Sequence, residues 1–192
     1  MIKTPIQKVT DKLQYRAIGI FNGVYNPHLV EELHRGLLID NQGTKIETVV
    51  LGKALSVLKK HINLKNNHFW IVYPKNKNSQ NLHLQIAGIW DPYELNKIKY
   101  ANTKKNTFEL LEEINLSDNY FSIRGELVYV NTKKKELVIK ICSSPQAKKQ
   151  KNNNFKLVIQ GELSINFLNN FLSLDVVRIG STLRMMKYEV IT

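Results

Sequence analysis

The sequence predicts a mainly β protein built as two small modules in tandem, and three observations carry that prediction. Runs of alternating apolar and polar residues recur along most of the 192 residues, the period of half-buried strands. Asn-, Gly- and Pro-containing turns punctuate those runs. The order of elements is also the same twice over: three strands, a crossover, then two strands.

In the first module, Tyr15-Arg16-Ala17-Ile18-Gly19-Ile20-Phe21 is apolar and partly alternating, with turn signals Asn22-Gly23 and Asn26-Pro27 close behind. A second strand, Leu33 to Ile39, meets a third, Lys45 to Leu51, across the polar hairpin loop Asp40-Asn41-Gln42-Gly43. After Gly52 the period changes. Leu55, Leu58 and Ile62 recur at helical spacing with Val57 beside them, and Lys53, Lys59 and Lys60 occupy the polar side of this short helix. Strands from His68 to Tyr73 and Leu82 to Trp90 flank the Lys- and Asn-rich loop 74–81. Three strands, one helix and two strands is the element order of an OB-fold, a five-stranded barrel whose helix lies between strands three and four. A small α+β sheet with one covering helix has the same order.

Residues 93–119 change character and read as a partly helical linker, with two helical turns over 108–114. The second module starts with a long strand from Tyr120 to Val130, followed by the basic turn Asn131-Thr132-Lys133-Lys134-Lys135. Leu137, Ile139 and Ile141 alternate with Val138 and Lys140 in the next strand, and Phe155, Leu157 and Ile159 mark the third. Between these two lies a basic loop with Lys148, Lys149 and Lys151. The crossover 162–170 is too short for more than about one helical turn, and strands 171–179 and 182–191 close around Gly180-Ser181. The expected division is an N-terminal tail 1–14, a first OB-like barrel 15–92, a linker 93–119 and a second OB-like barrel 120–192.

No run approaches the roughly 18 consecutive apolar residues of a membrane-spanning helix. The N-terminal lysines precede no apolar segment, so no signal peptide is expected. Cys142 is the only cysteine and has no partner for an internal disulfide. These features suit the reducing cytoplasm. The net charge is +12, with 28 Lys and Arg against 16 Asp and Glu, which favours a polyanionic partner. Only five of the 28 are Arg, and a genome rich in A and T also drifts towards Lys, Asn and Ile. Distribution separates the two accounts: residues 1–93 carry +6, residues 94–119 carry −1 and residues 120–192 carry +7, much of it on two loops. Drift would scatter the lysines.

Several stretches carry a family resemblance: Arg16-Ala17-Ile18-Gly19, Arg35-Gly36-Leu37-Leu38, Val50-Leu51-Gly52, Phe69-Trp70-Ile71-Val72-Tyr73-Pro74, the run 82–90 and Tyr120-Phe121-Ser122-Ile123-Arg124-Gly125-Glu126. In these the chain resembles a family of uncharacterised cyanobacterial proteins. The resemblance covers both modules and skips the linker. It implies a cyanobacterial cytoplasmic protein and brings no functional residues with it.

Catalytic and cofactor signatures are missing from the sequence: no phosphate loop, no dinucleotide fingerprint, no zinc-protease helix and no nucleophile elbow. The five histidines show no ligand-like pairing, and Cys142 reads as a small apolar filler. No enzyme, metal or cofactor is expected. Single-stranded nucleic acid is held by cations along the phosphates and by rings stacked on bases, and OB barrels present both on strands two and three and on the loops joining strands 1–2 and 4–5. The candidates in the second module are Lys133, Lys134 and Lys135 on the first of those loops, Lys140 and Lys156 on the polar faces of strands two and three, and Lys148, Lys149 and Lys151 between them. Arg124 on the first strand, Arg178 and Arg184 flanking the last hairpin, and the strand-end rings Tyr129 and Tyr73 complete the set. Lysines in turns and on strand faces also guard sheets against edge pairing. In the next strands, either Trp70 or the Phe69–Tyr73 face must be core. The expected function is binding of RNA or single-stranded DNA with little sequence selectivity. The alternative is a non-enzymatic protein–protein interaction module associated with a ribosome or another nucleoprotein complex.

Overall fold

In the computed structural model, which describes residues 4–77, 81–93, 105–142 and 154–192, the alternating runs become strands. In chain order these are β1 (Arg16–Leu29), β2 (Glu32–Ile39), β3 (Lys45–Val50), helix α1 (Gly52–His61), β4 (His68–Lys77), β5 (Asn81–Trp90) and helix α2 (Thr107–Glu113). There follow β6 (Tyr120–Asn131), β7 (Glu136–Ile141), β8 (Phe155–Gln160), a single 3-10 turn η1 (Ile165–Phe167), β9 (Phe171–Ile179) and β10 (Thr182–Val190). Among the described residues no helix is long and apolar enough to cross a membrane.

The chain divides into two compact units, and the division does not follow sequence order. Unit 1 comprises Met1–Gln7, Gly19–Tyr73 and Leu84–Tyr120, while unit 2 comprises Lys8–Ile18, Pro74–His83 and Phe121–Thr192. The expected tail 1–14 is therefore shared between two folded units. Ile6 is buried in unit 1, and the main-chain carbonyls of Lys12 and Gln14 accept hydrogen bonds from Arg124 in unit 2.

In unit 1 the strands run in the order β2-β3-β5-β4-β1, and β1 pairs again with β2 to close a five-stranded barrel. β3 and β5 are parallel, with Thr48, Val49 and Val50 opposite Leu84, Gln85 and Ile86. β1 runs straight through both turn signals expected within it. Gly23 permits this, because a Cβ there would lie 2.2 Å from the Ile39 carbonyl oxygen on β2. Pro27 sits where the β1–β2 register shifts, a bulge that tolerates its missing N–H. Inside, Trp70 is fully buried and donates its indole N–H to the Gly23 carbonyl at 2.8 Å. α1 buries Ala54 and Leu58, one turn apart, so the covering face is centred one residue from the predicted Leu55.

Residues 105–119, most of the described part of the expected linker, carry α2 and belong to unit 1. Asn106 and Glu109 form a capping box that starts α2, and Leu110 and Leu111 are buried. Asn115 takes φ 55° to end the helix, and Leu116 N–H bonds back to the Leu111 carbonyl at 2.9 Å. Phe108 meets Phe69 edge to face at 4.8 Å, and Phe69 in turn meets Trp90 at 6.1 Å. Both faces of β4 are consequently core at this end: Trp70 and Phe69 are each buried, the second under α2.

Unit 2 repeats the plan with order β6-β7-β8-β10-β9 and closure of β9 on β6. Phe121, Ile123, Leu127, Leu137, Ile139 and Leu172 are fully buried in it. Two differences stand out. The parallel seam between β8 and β10 is a single bridge, Gln160 opposite Arg184. The crossover holds only η1, which buries none of its residues.

Candidate nucleic-acid interface

Because side chains alternate along a strand, burying Leu137, Ile139, Leu157 and Ile159 turns the residues between them outward. The strand registers assemble these into rows across β6, β7 and β8. One row reads Glu126, Lys140, Lys156; the next Tyr129, Val138, Val158; the third Asn131, Glu136, Gln160, with Arg184 of β10 beside Gln160. Tyr129 joins the middle row because β6 has an irregularity between Leu127 and Tyr129, and its ring is 51% exposed. Lys140 lies 3.1 Å from the Glu126 carboxylate, whose hydrogen bond and charge raise its pKa. Lys156 is exposed.

At one end of this face the β6–β7 turn is held firmly. Asn131 Oδ1 accepts from Lys134 N–H at 3.0 Å, Lys135 takes the left-handed conformation with φ 54°, and Gly161 N–H donates to the Lys135 carbonyl at 2.8 Å. Lys135 Nζ also pairs with Glu162. Lys133 and Lys134 are exposed and have no ion pair among the described residues. A cation without a carboxylate at its side keeps its full charge for a phosphate.

Other candidates are placed differently. Arg124 is buried: Nη2 donates to the Lys12 carbonyl at 2.6 Å, Nε to the Gln14 carbonyl at 3.2 Å, and the guanidinium lies 5.7 Å from the Phe171 ring. Arg178 is buried too and donates to the Gly180 carbonyl across the β9–β10 turn. Both are fixed to protein carbonyls, which removes them as free phosphate contacts. Residues 121–125 of β6 are buried on both faces, so alternation gave no warning of this. Arg184 is exposed on β10. Tyr73 is 37% exposed but belongs to unit 1, outside these rows. Lys148, Lys149 and Lys151 lie outside the described residues.

Sequence reasoning missed what sits beside β8. Asn76 Oδ1 accepts from Val158 N–H at 2.8 Å, and Lys75 Nζ lies 3.0 Å from the centre of the Phe155 ring, both within unit 2. Burial lowers the Lys75 pKa to about 8. A cavity of about 260 Å³ opens here between Asn76, Asn81, Glu136, Gln160 and Thr182. Among the described residues no three His, Cys, Asp or Glu side chains gather as a metal site.

This geometry agrees with comparison to known families. Residues 17–97 match the model of the PatR RNA-binding protein N-terminal OB-fold domain. Residues 123–192 match that of a cyanobacterial OB-fold-like RNA-binding domain, C-terminal. A search of curated proteins found no match.

Proposed function

We propose that this chain, whose two modules are a PatR-type N-terminal OB-fold domain and the cyanobacterial C-terminal OB-fold-like domain, is a cytoplasmic, non-enzymatic protein that binds single-stranded RNA. Lys133, Lys134 and Lys156 neutralise phosphates, Arg184 adds directional hydrogen bonds, and Tyr129 offers a ring for a base. Selectivity for sequence is low, because lysines supply charge without reading base edges. The observation that supports this reading most is the β6–β7 turn, pinned at Asn131 and Gly161, whose tip holds two lysines with no ion pair among the described residues, on a barrel whose matched family is described as RNA-binding.

The test is fluorescence anisotropy of a labelled single-stranded RNA with the full chain, titrated between 50 and 200 mM salt and repeated with DNA of the same sequence. Each phosphate contact to a single strand contributes a log–log salt slope of about −0.7. Reversing Lys133, Lys134 and Lys156 to Glu is expected to remove about 2 from the slope and most of the affinity. No binding at 50 mM salt would overturn the proposal. Unchanged affinity in the triple variant would move the site off this turn and face.

A further inference from the structure

In unit 2 the end of the barrel under the short crossover is open. Tyr188 and Val190 lie opposite Leu174 and Leu172 in the β9–β10 register, so they belong to the core-facing side of the sheet. Leu174 and Leu172 are buried, yet Tyr188 is 47% and Val190 37% exposed. From η1 the Phe167 ring meets Tyr188, while Ile165 is 60% exposed and Leu168, just past the turn, 38%. Beside Tyr188 is a cavity of about 410 Å³ lined by Asn131, Thr132, Glu162, Ser164, Phe167 and Tyr188, among others. The Phe167 and Tyr188 rings stand 5.9 Å apart at 54°.

Main-chain bonds anchor both ends of the crossover that lines this cavity. At its start Gly161 N–H bonds the Lys135 carbonyl at 2.8 Å. At its end Asn169 N–H bonds the Leu127 carbonyl at 2.8 Å and Leu127 N–H the Asn170 carbonyl at 3.0 Å. The cavity therefore exists before any ligand arrives. Its volume lies in the range of small-ligand sites, and its lining pairs two aromatic rings with several hydrogen-bonding side chains. Its rim is the lysine turn itself, since Thr132 lines the cavity and Lys133 follows directly. A polyanion with flat, hydrogen-bonding appendages satisfies both halves of this environment at once.

We infer that the cavity captures one unstacked nucleobase of a bound RNA, stacked on Tyr188, with the adjoining phosphates on Lys133 and Lys134. The site rests on the RNA-binding function proposed above and assigns a base contact to residues off the β7–β8 face. Tyr188 supplies the ring, Phe167 backs it, and the polar lining meets the base edge.

The experiment uses the full chain and the same labelled RNA. Tyr188→Ala and Tyr188→Leu, which removes the ring but keeps apolar bulk, are expected to weaken binding about 5- to 150-fold, the usual loss for one stacked base. Tyr188→Phe is expected to retain wild-type affinity. The salt slope stays at the wild-type value in all three, because no phosphate contact is lost. In parallel, RNA carrying 5-iodouracil is irradiated with the wild-type protein, and crosslinks to Tyr188 or Phe167 are expected in the peptide map. RNA binding that is unaffected by Tyr188→Ala and Tyr188→Leu, with no crosslink at these rings, overturns the base pocket while leaving RNA binding standing, and gives the open face to another partner. Absence of RNA binding by the wild type overturns both.

Discussion

The two barrels share a strand plan and differ in what fills the crossover between strands three and four. In unit 1 that crossover is a ten-residue helix that buries Ala54 and Leu58. The last strand there ends in Trp90, only 3% exposed and packed on Phe69. In unit 2 the crossover is one 3-10 turn, and the last strand carries Tyr188, 47% exposed on the core-facing side. The parallel seam follows the same trend, three residue pairs in unit 1 against one in unit 2. A barrel needs five paired strands to hold its shape, but it does not need its helix. Losing the helix exchanges buried apolar area for an open, aromatic-lined cavity beside a basic turn.

The comparison breaks first at the helix. Leu58→Ala empties a position 3% exposed, and deleting buried methylenes from a core typically costs about 2–5 kcal/mol. Ile165→Ala in the equivalent crossover of unit 2 removes a side chain 60% exposed, and a change within about ±0.5 kcal/mol is expected. Urea denaturation followed by tryptophan emission reports unit 1, where Trp70 and Trp90 both lie; far-UV circular dichroism reports both units. Equal losses in the two variants would mean that η1 plugs its barrel as α1 does.

A second difference separates two kinds of cation within unit 2. Arg124 is anchored to two carbonyls inside the protein, whereas Lys133 and Lys134 are exposed on a fixed turn with no ion pair among the described residues. Arg124→Met keeps the apolar stem and removes both hydrogen bonds, and bonds to a charged donor contribute about 1.5–3 kcal/mol. For the two bonds together a stability loss of about 3 kcal/mol or more is expected, with RNA affinity of the folded variant within about threefold of wild type. An affinity loss as deep as that of the lysine reversals, at unchanged stability, would restore Arg124 to the binding surface.

Most of the barrel plan was legible because it rests on local signals. Leu137, Ile139 and Ile141 alternate cleanly, the 40–43 loop carries its own turn chemistry, and the crossover of unit 2 is visibly too short for a helix. What escaped depends on contacts distant in sequence. Gly23 and Pro27 read as turns because the approach of β2 to β1 cannot be seen from β1 alone. Arg124 reads as a free cation because its partners lie 110 and 112 residues away. Residues 74–81 read as a loop of the first module, although Asn76 satisfies a β8 N–H in unit 2. Tyr188 had a faint signal in Met186, Tyr188 and Val190, an apolar alternation on a strand whose covering helix is missing. That signal is informative only once the register places Tyr188 opposite Leu174.

The smallest expected effect contrasts two tyrosines, Tyr25 enclosed in unit 1 and Tyr188 open in unit 2. Tyr25 is 1% exposed, and its hydroxyl donates to the Leu33 carbonyl at 2.9 Å. Burial pushes its pKa up to about 12, against about 10 in an unfolded chain. Below pH 10 the phenol is neutral in both states and its contribution is intact. Between pH 10 and 12 the unfolded chain releases the proton first, so stability falls as pH rises through that window. Tyr25→Phe loses one hydrogen bond, about 1 kcal/mol at neutral pH, and flattens the alkaline decline. The decline does not vanish, because Tyr15 in unit 2 is also pushed up to about 12, by burial first and its hydrogen bond with Cys142 second. Denaturant midpoints measured from pH 8 to 12 for wild type, Tyr25→Phe and Tyr15→Phe separate the two contributions, and an alkaline limb identical in all three would show that neither phenol drives it.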